Sequence, residues 1–158
     1  MVRFRPSKEF SKNIRQLFLD QQRKILKLLP YARVRHIGST ALPDAFTKGD
    51  LDILVIVPTL KFKMAVHKLK KVYKINQPHN WTGNYASFKN DILKFGLQLV
   101  AQGDVIGFTK HIMMLKKDHE LLRRYNDLKR RHEGKSMREY RKAKGQFFQN
   151  IEDQKLTQ

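Results

Sequence analysis

Cysteine is absent from the 158 residues, which excludes disulfides and thiolate metal sites. No apolar run approaches the roughly 20 residues that a membrane helix needs. The opening Met1-Val2-Arg3-Phe4-Arg5-Pro6 has charge but no following apolar core and no small-residue cleavage site, so no secretion signal is read there. A soluble, cytoplasmic protein is expected. Acidic side chains are scarce, 14 against 33 lysines and arginines, giving a formal net charge of +19. A field of that sign attracts polyanions such as nucleotides or RNA and says nothing about fold. The length fits one compact domain over residues 1–158.

The apolar pattern predicts an α+β layout: helix, small mixed β-sheet flanked by helices, then two C-terminal helices. Ser7 is expected to cap a first helix with Phe10, Ile14, Leu17, Phe18, Ile25, Leu28 and Leu29 on its face, ending at Pro30. A strand over 34–37 stops at Gly38-Ser39-Thr40, and the β-branched run 51–57, closed by Pro58, reads as a central strand buried on both faces. A second helix over 59–73 is expected to bury Leu60, Met64, Leu69 and Val72. A polar loop over 77–84 precedes a hairpin, 85–89 and 92–101, turned at Asn90-Asp91. One long helix is expected from the Asp104 cap to about His132, stopped by Gly134. Ser136 and Glu139 form a capping box for the last helix, whose tail is expected to fray from Glu152.

Among so few acids, Asp50 and Asp52 are informative. Two apart at a strand start, they leave one face with Cα atoms roughly 6.6 Å apart. Their mutual repulsion of about 2.5 kcal/mol at an effective dielectric of 20 calls for a positive partner. Mg2+, or Mn2+, is one candidate; Lys48, two residues upstream, is another. Gly38 permits close backbone approach, and the amides of Ser39 and Thr40, with the Ser39 hydroxyl, can hold phosphate oxygens. A phosphate-holding turn beside an acidic pair is the apparatus of nucleotidyl transfer, which consists of charge neutralisation and positioning around an α-phosphate.

The segments His36-Ile37-Gly38-Ser39-Thr40-Ala41-Leu42-Pro43 and Lys48-Gly49-Asp50-Leu51-Asp52-Ile53 resemble the signature of the GrpB-like family of the DNA polymerase beta-like nucleotidyltransferase superfamily. Gly96-Leu97-Gln98-Leu99-Val100 with Gly103, and Tyr125-Asn126-Asp127-Leu128-Lys129, are similar to later family blocks in the same order. The resemblance implies a mixed sheet flanked by helices and a cleft for a nucleoside triphosphate and a metal ion. Asp50 and Asp52 would be its catalytic, metal-binding pair, Gly38, Ser39, Thr40 and Lys48 its phosphate contacts, and His36 and Gln98 its lining. Two departures weigh against catalysis. Gln98 stands where the family commonly has histidine and active transferases a third carboxylate, and Ile112-Met113 replaces an expected polar pair.

Plainer readings stand beside these. Gly-Ser-Thr alone is a common turn, and His36 is more often a satisfied structural histidine than a ligand. The basic run Arg123, Arg124, Lys129, Arg130, Arg131, Arg138, Arg141, Lys142 and Lys144 reads equally as a solvated face or a polyanion surface. Trp81 in its polar loop is the better stacking candidate, Tyr85 and Phe88 being expected to pack. The rival to a metal-dependent transferase is a catalytically silent nucleotide- or RNA-binding module. A third possibility, an assembly subunit, expects an exposed apolar stripe around Phe147 and Phe148.

Overall fold

The computed structural model describes residues 1–158. In chain order its elements are β1 (Arg5–Pro6), α1 (Ser11–Leu28), β2 (Arg33–Ile37), β3 (Phe46–Thr47), β4 (Leu51–Val57), α2 (Phe62–Lys70), β5 (Lys74–Ile75), β6 (Tyr85–Asn90), β7 (Phe95–Ala101), α3 (Val105–Lys117), α4 (His119–Arg131) and α5 (Met137–Leu156). Five strands form a mixed sheet in the order β2-β4-β7-β6-β5, in which only β4 and β7 run parallel. The α+β class expected from the sequence is the one observed.

Strand alternation sorts the core into two layers. Ile53, Val55 and Val57 of β4, with Leu97 and Leu99 of β7, pack on one face against Ile14 and Ile25 of α1 and Phe62, Ala65 and Leu69 of α2. Leu54 and Ile56 face the other way with Val100, into Ile112, Leu115, Leu122, Tyr125, Phe148 and Ile151 of α3, α4 and α5. Burial on both faces explains why β4 reads as an unbroken apolar run. Asp52 is two residues before Leu54, so its carboxylate leaves toward α3, α4 and α5.

Several elements differ from the sequence reading. The expected long helix is two, because Asp118 adopts extended φ/ψ (−123°, 99°) and its side chain accepts from the Leu121 amide as a new N-cap. Three helices therefore follow β7. The first helix starts at Ser11, since Ser7 is buried and donates its hydroxyl to the Thr40 carbonyl instead of capping. In α2 the buried face is Phe62, Ala65 and Leu69, while Leu60, Met64 and Val72 are exposed. The hairpin turn is longer than expected: Asn90 accepts from the amides of both Ile92 and Leu93, Lys94 takes positive φ, and β7 begins at Phe95. α5 stays helical through Leu156 rather than fraying from Glu152. Phe148 is buried and Phe147 stacks on Tyr125, so the stripe foreseen for an assembly subunit is covered within the chain. No helix is long and apolar enough to cross a membrane.

Long-range polar contacts fix the loop that carries the acidic pair. Arg5 and Pro6 pair with Thr47 and Phe46. Asn126 of α4 accepts from the Phe46 amide and donates to the Asp44 carbonyl, both at 2.9 Å. The loop before Asp50 is thereby tied to α4, and α4 to the sheet.

Candidate functional site

The turn after β2 has a steric reason for its glycine. Gly38 has φ 76° and ψ −173°, a region closed to side-chain-bearing residues in practice. A Cβ there would lie 2.2 Å from Asp52 Oδ2. The Ile37–Asp52 pairing in the β2–β4 ladder sets the turn against that carboxylate. The following hydroxyls divide their work. Thr40 Oγ1 donates to the Asp50 carbonyl at 3.2 Å, and as its single proton is used there, it must accept from His36 Nε2 at 2.8 Å. The buried Thr40 side chain is thus a strut between turn and acidic pair. His36 stacks on Phe18 of α1 at 5.5 Å, on the α1 side of the sheet. It does not line the cavity, contrary to the sequence reading, because Ile37 takes the cavity-facing position and strand alternation sends its neighbour away.

Gly38, Ser39, Lys48, Asp50, Asp52 and Gln98 line one cavity of about 360 Å³, roofed by α3, α4 and α5. The helical wall brings residues that sequence reasoning had not placed in the site: His111, Tyr125, Lys129, Arg141 and Lys144. Lys129 is 1% exposed. Its Nζ donates to Ser39 Oγ at 2.7 Å and to the Phe46 carbonyl, and lies 4.2 Å from the centre of the Tyr125 ring. His111 bonds Glu152 through Nε2 at 2.7 Å and stacks on Phe148 at 4.0 Å. Lys144 and Arg141 make no hydrogen bond or ion pair within the chain.

Burial raises the Asp52 carboxyl to about 6; Lys144 opposes this, Asp50 adds to it, and Lys48 and Lys129 oppose it. Burial likewise pushes the Lys129 ammonium down to about 7, helped by Lys144 and Lys48 and opposed by Asp52. Folded Asp52 holds its proton more tightly than the unfolded chain does. Its contribution is therefore most favourable below about pH 4 and falls as pH rises to about 6, by at most about 3 kcal/mol. Urea unfolding of Asp52→Asn across pH 4 to 7 is expected to show the variant gaining on the parent over that window. Parallel profiles would refute the shift.

The acidic pair offers two carboxylates to a divalent ion. Mg2+ uses one or two carboxylates completed by phosphates and water, so two aspartates suffice by number. Charge decides otherwise. Lys48 Nζ pairs with Asp50 Oδ2 at 3.1 Å, and Lys129 and Lys144 bear on Asp52. No group of three acidic or histidine side chains converges anywhere in the chain. An ion on Asp50 would stand within about 5 Å of the Lys48 ammonium, a repulsion of roughly 6–7 kcal/mol at an effective dielectric of 20. These residues do not fit a resident ion unless Lys48 withdraws.

The remaining sequence candidates lie elsewhere. Trp81 donates to the Asn76 carbonyl and packs on Phe88, with Lys70 over its ring, so it covers the core rather than offering a free stacking face. The basic run is divided: Arg123 pairs with Glu120 and Asp127, Arg130 with Asp127, and Lys129 turns inward; Arg141 and Lys144 edge the cavity, and Arg124, Arg131, Arg138 and Lys142 are exposed outside it without an ion pair.

The profile of the family described as GrpB protein matches residues 8–154. A UPF0157 protein of Vibrio cholerae serotype O1 is 32% identical over 157 residues, covering 95% of this chain and 81% of that one. The crystal structure of conserved protein GrpB from Enterococcus faecalis superposes with a TM-score of 0.65 at 17% identity, over 87% of this chain and 94% of that one. The Cid1 poly(U) polymerase in its MgGTP-bound form superposes with a TM-score of 0.54 at 12% identity, over 75% of this chain and 41% of that one. At these identities the two structures establish a shared, nucleotidyltransferase-like fold.

Proposed function

Because this chain belongs to the GrpB protein family and has a nucleotidyltransferase-like fold, we propose that its cavity binds a nucleoside triphosphate by the phosphates. The observation that carries the reading is the convergence of Ser39, Lys129, Arg141 and Lys144 on one cavity beside the Gly38 turn. The first amides of that turn have no acceptor within it and can point to a phosphate oxygen. Lys129 is held in place by Ser39 and Phe46, so little side-chain freedom is lost when an anion arrives. Ile112, Leu115, Tyr140 and Phe148 supply apolar wall for the rest of a nucleotide. Calorimetry with ATP, GTP, CTP and UTP at 0.3 M salt is expected to show binding that the matching nucleosides lose by roughly 100-fold, the worth of two charged contacts. Equal binding of nucleoside and triphosphate, or no binding at millimolar concentration, refutes the reading.

Nucleotidyl transfer is the second reading, favoured by Asp50 and Asp52 facing the same cavity and by His111, oriented by Glu152, on its wall. An acceptor oxygen would bond to the α-phosphorus, the bond to the bridging oxygen would break, and pyrophosphate would leave. Gln98 cannot take the acceptor's proton; His111 is the imidazole on the wall that could serve as the base. Asp50 and Asp52 could hold Mg2+ or Mn2+ only once Lys48 has left Asp50. Pyrophosphate release that needs the cation and disappears in Asp52→Asn would establish this reading; its absence with all four triphosphates leaves the cleft a binding site.

A further inference from the structure

The helical wall of the cavity carries cations where the sheet wall carries acids. Lys129 projects from α4 and Lys144 from α5 toward Asp52, and Arg141, three residues before Lys144 on α5, lines the same cavity. Lys48 already neutralises Asp50 at 3.1 Å. Arg141 and Lys144 line the open edge of the cavity, solvent-exposed and with no partner within the chain, so both are free to meet an anion. The four cations Lys48, Lys129, Arg141 and Lys144 outnumber the two aspartates on the cavity wall, an excess of positive charge suited to a polyanion.

We infer that this cleft binds a polyphosphate chain without a divalent ion, Lys129 and Lys144 gripping it from the helices while Ser39 holds it from the turn. The inference rests on the phosphate-led reading above and deepens it. It assigns the phosphate contacts mainly to α4 and α5, with Asp52 as a like charge that the anion must approach. Asp52 then has the opposite role to a metal ligand. Removing its charge strengthens anion binding, whereas removing a metal ligand abolishes it.

The test is calorimetry of the full chain with inorganic tripolyphosphate and with ATP, in EDTA and in MgCl2, at 0.3 M salt to suppress general attraction by the basic surface. In EDTA both ligands are expected to bind, and MgCl2 to weaken rather than strengthen the binding, because the ion complexes the phosphates and competes with the cations of the cleft. Lys144→Met is expected to weaken binding by roughly tenfold or more, as loss of a charged contact does. Asp52→Asn should tighten it about fivefold by relieving repulsion. Lys24→Met, on exposed α1, should leave it unchanged. Because Lys144 lies at the rim rather than in the core, its variant remains informative even if Lys129 variants fold poorly. Binding only with MgCl2, or loss of binding in Asp52→Asn, overturns the metal-free cleft while leaving the nucleotide reading intact. Tripolyphosphate binding without ATP binding overturns the nucleotide and keeps the cleft. No binding of either overturns both.

Discussion

Gly38→Ala is expected to cost about 2–5 kcal/mol of stability and to abolish ligand binding. Two effects combine. At φ 76° and ψ −173° any side-chain-bearing residue is strained by about 1–3 kcal/mol, and the new Cβ meets Asp52 Oδ2 at 2.2 Å. That contact cannot relax cheaply, since Asp52 belongs to the most buried strand and Ile37 pairs with it across the ladder. Gly107→Ala is the control. It lies in α3 with nothing within 4 Å of its Cβ position, and the helix preference of alanine should raise stability by up to about 1 kcal/mol. Urea denaturation of the two variants measures the contrast, and Gly38→Ala within about 0.5 kcal/mol of the parent would refute the close packing of turn on carboxylate.

Lys129→Met carries the second large effect, and its sign depends on pH. The folded chain binds the Lys129 proton less tightly than the unfolded chain, holding the group near 7 instead of 10.5. Parent stability therefore rises with pH between about 7 and 10.5 and is lowest below 7. Methionine fills the same channel with no charge to desolvate. Between pH 10 and pH 6.5 the variant should gain on the parent by up to about 4 kcal/mol, the worth of the shift across that window. It should also lose the hydrogen bond to Ser39 and, with it, the proposed phosphate contact. A variant that gains on the parent toward neutral pH yet binds less well is what a buried functional cation implies. If the two pH profiles run parallel, Lys129 is not desolvated as described.

The sequence made the sheet side of the site readable and left the helix side hidden, for physical reasons. β2 alternates basic and apolar residues up to Gly38, and β4 is an apolar run closed by Pro58, so their ends, with Gly38, Asp50 and Asp52, were marked. Lys129 sits in the run Leu128-Lys129-Arg130-Arg131, which looks like a solvated charge cluster. Yet Leu122, Tyr125, Asn126 and Lys129 recur at helical spacing on the buried face, a signal that arithmetic on the helix could have found. The break at Asp118 was masked because the apolar positions of α3 and α4, Leu115 and Leu122, stay seven apart across it. The capping pattern of Asp118 with Glu120 in the first turn was the available clue. β1, β3 and β5 are two residues each, too short for any period to show. His36 was misplaced because its motif neighbours face the cavity and alternation around Ile37 was not applied to it.

A crystal structure of the chain with a non-hydrolysable nucleoside triphosphate, grown in EDTA, bears most directly on the cleft between the sheet and α3 to α5. Phosphate oxygens within hydrogen-bond distance of Ser39 Oγ, Lys129 Nζ and Lys144 Nζ are the expected finding. Phosphates lodged outside that cavity, on Arg131, Arg138 and Lys142 for example, would contradict it.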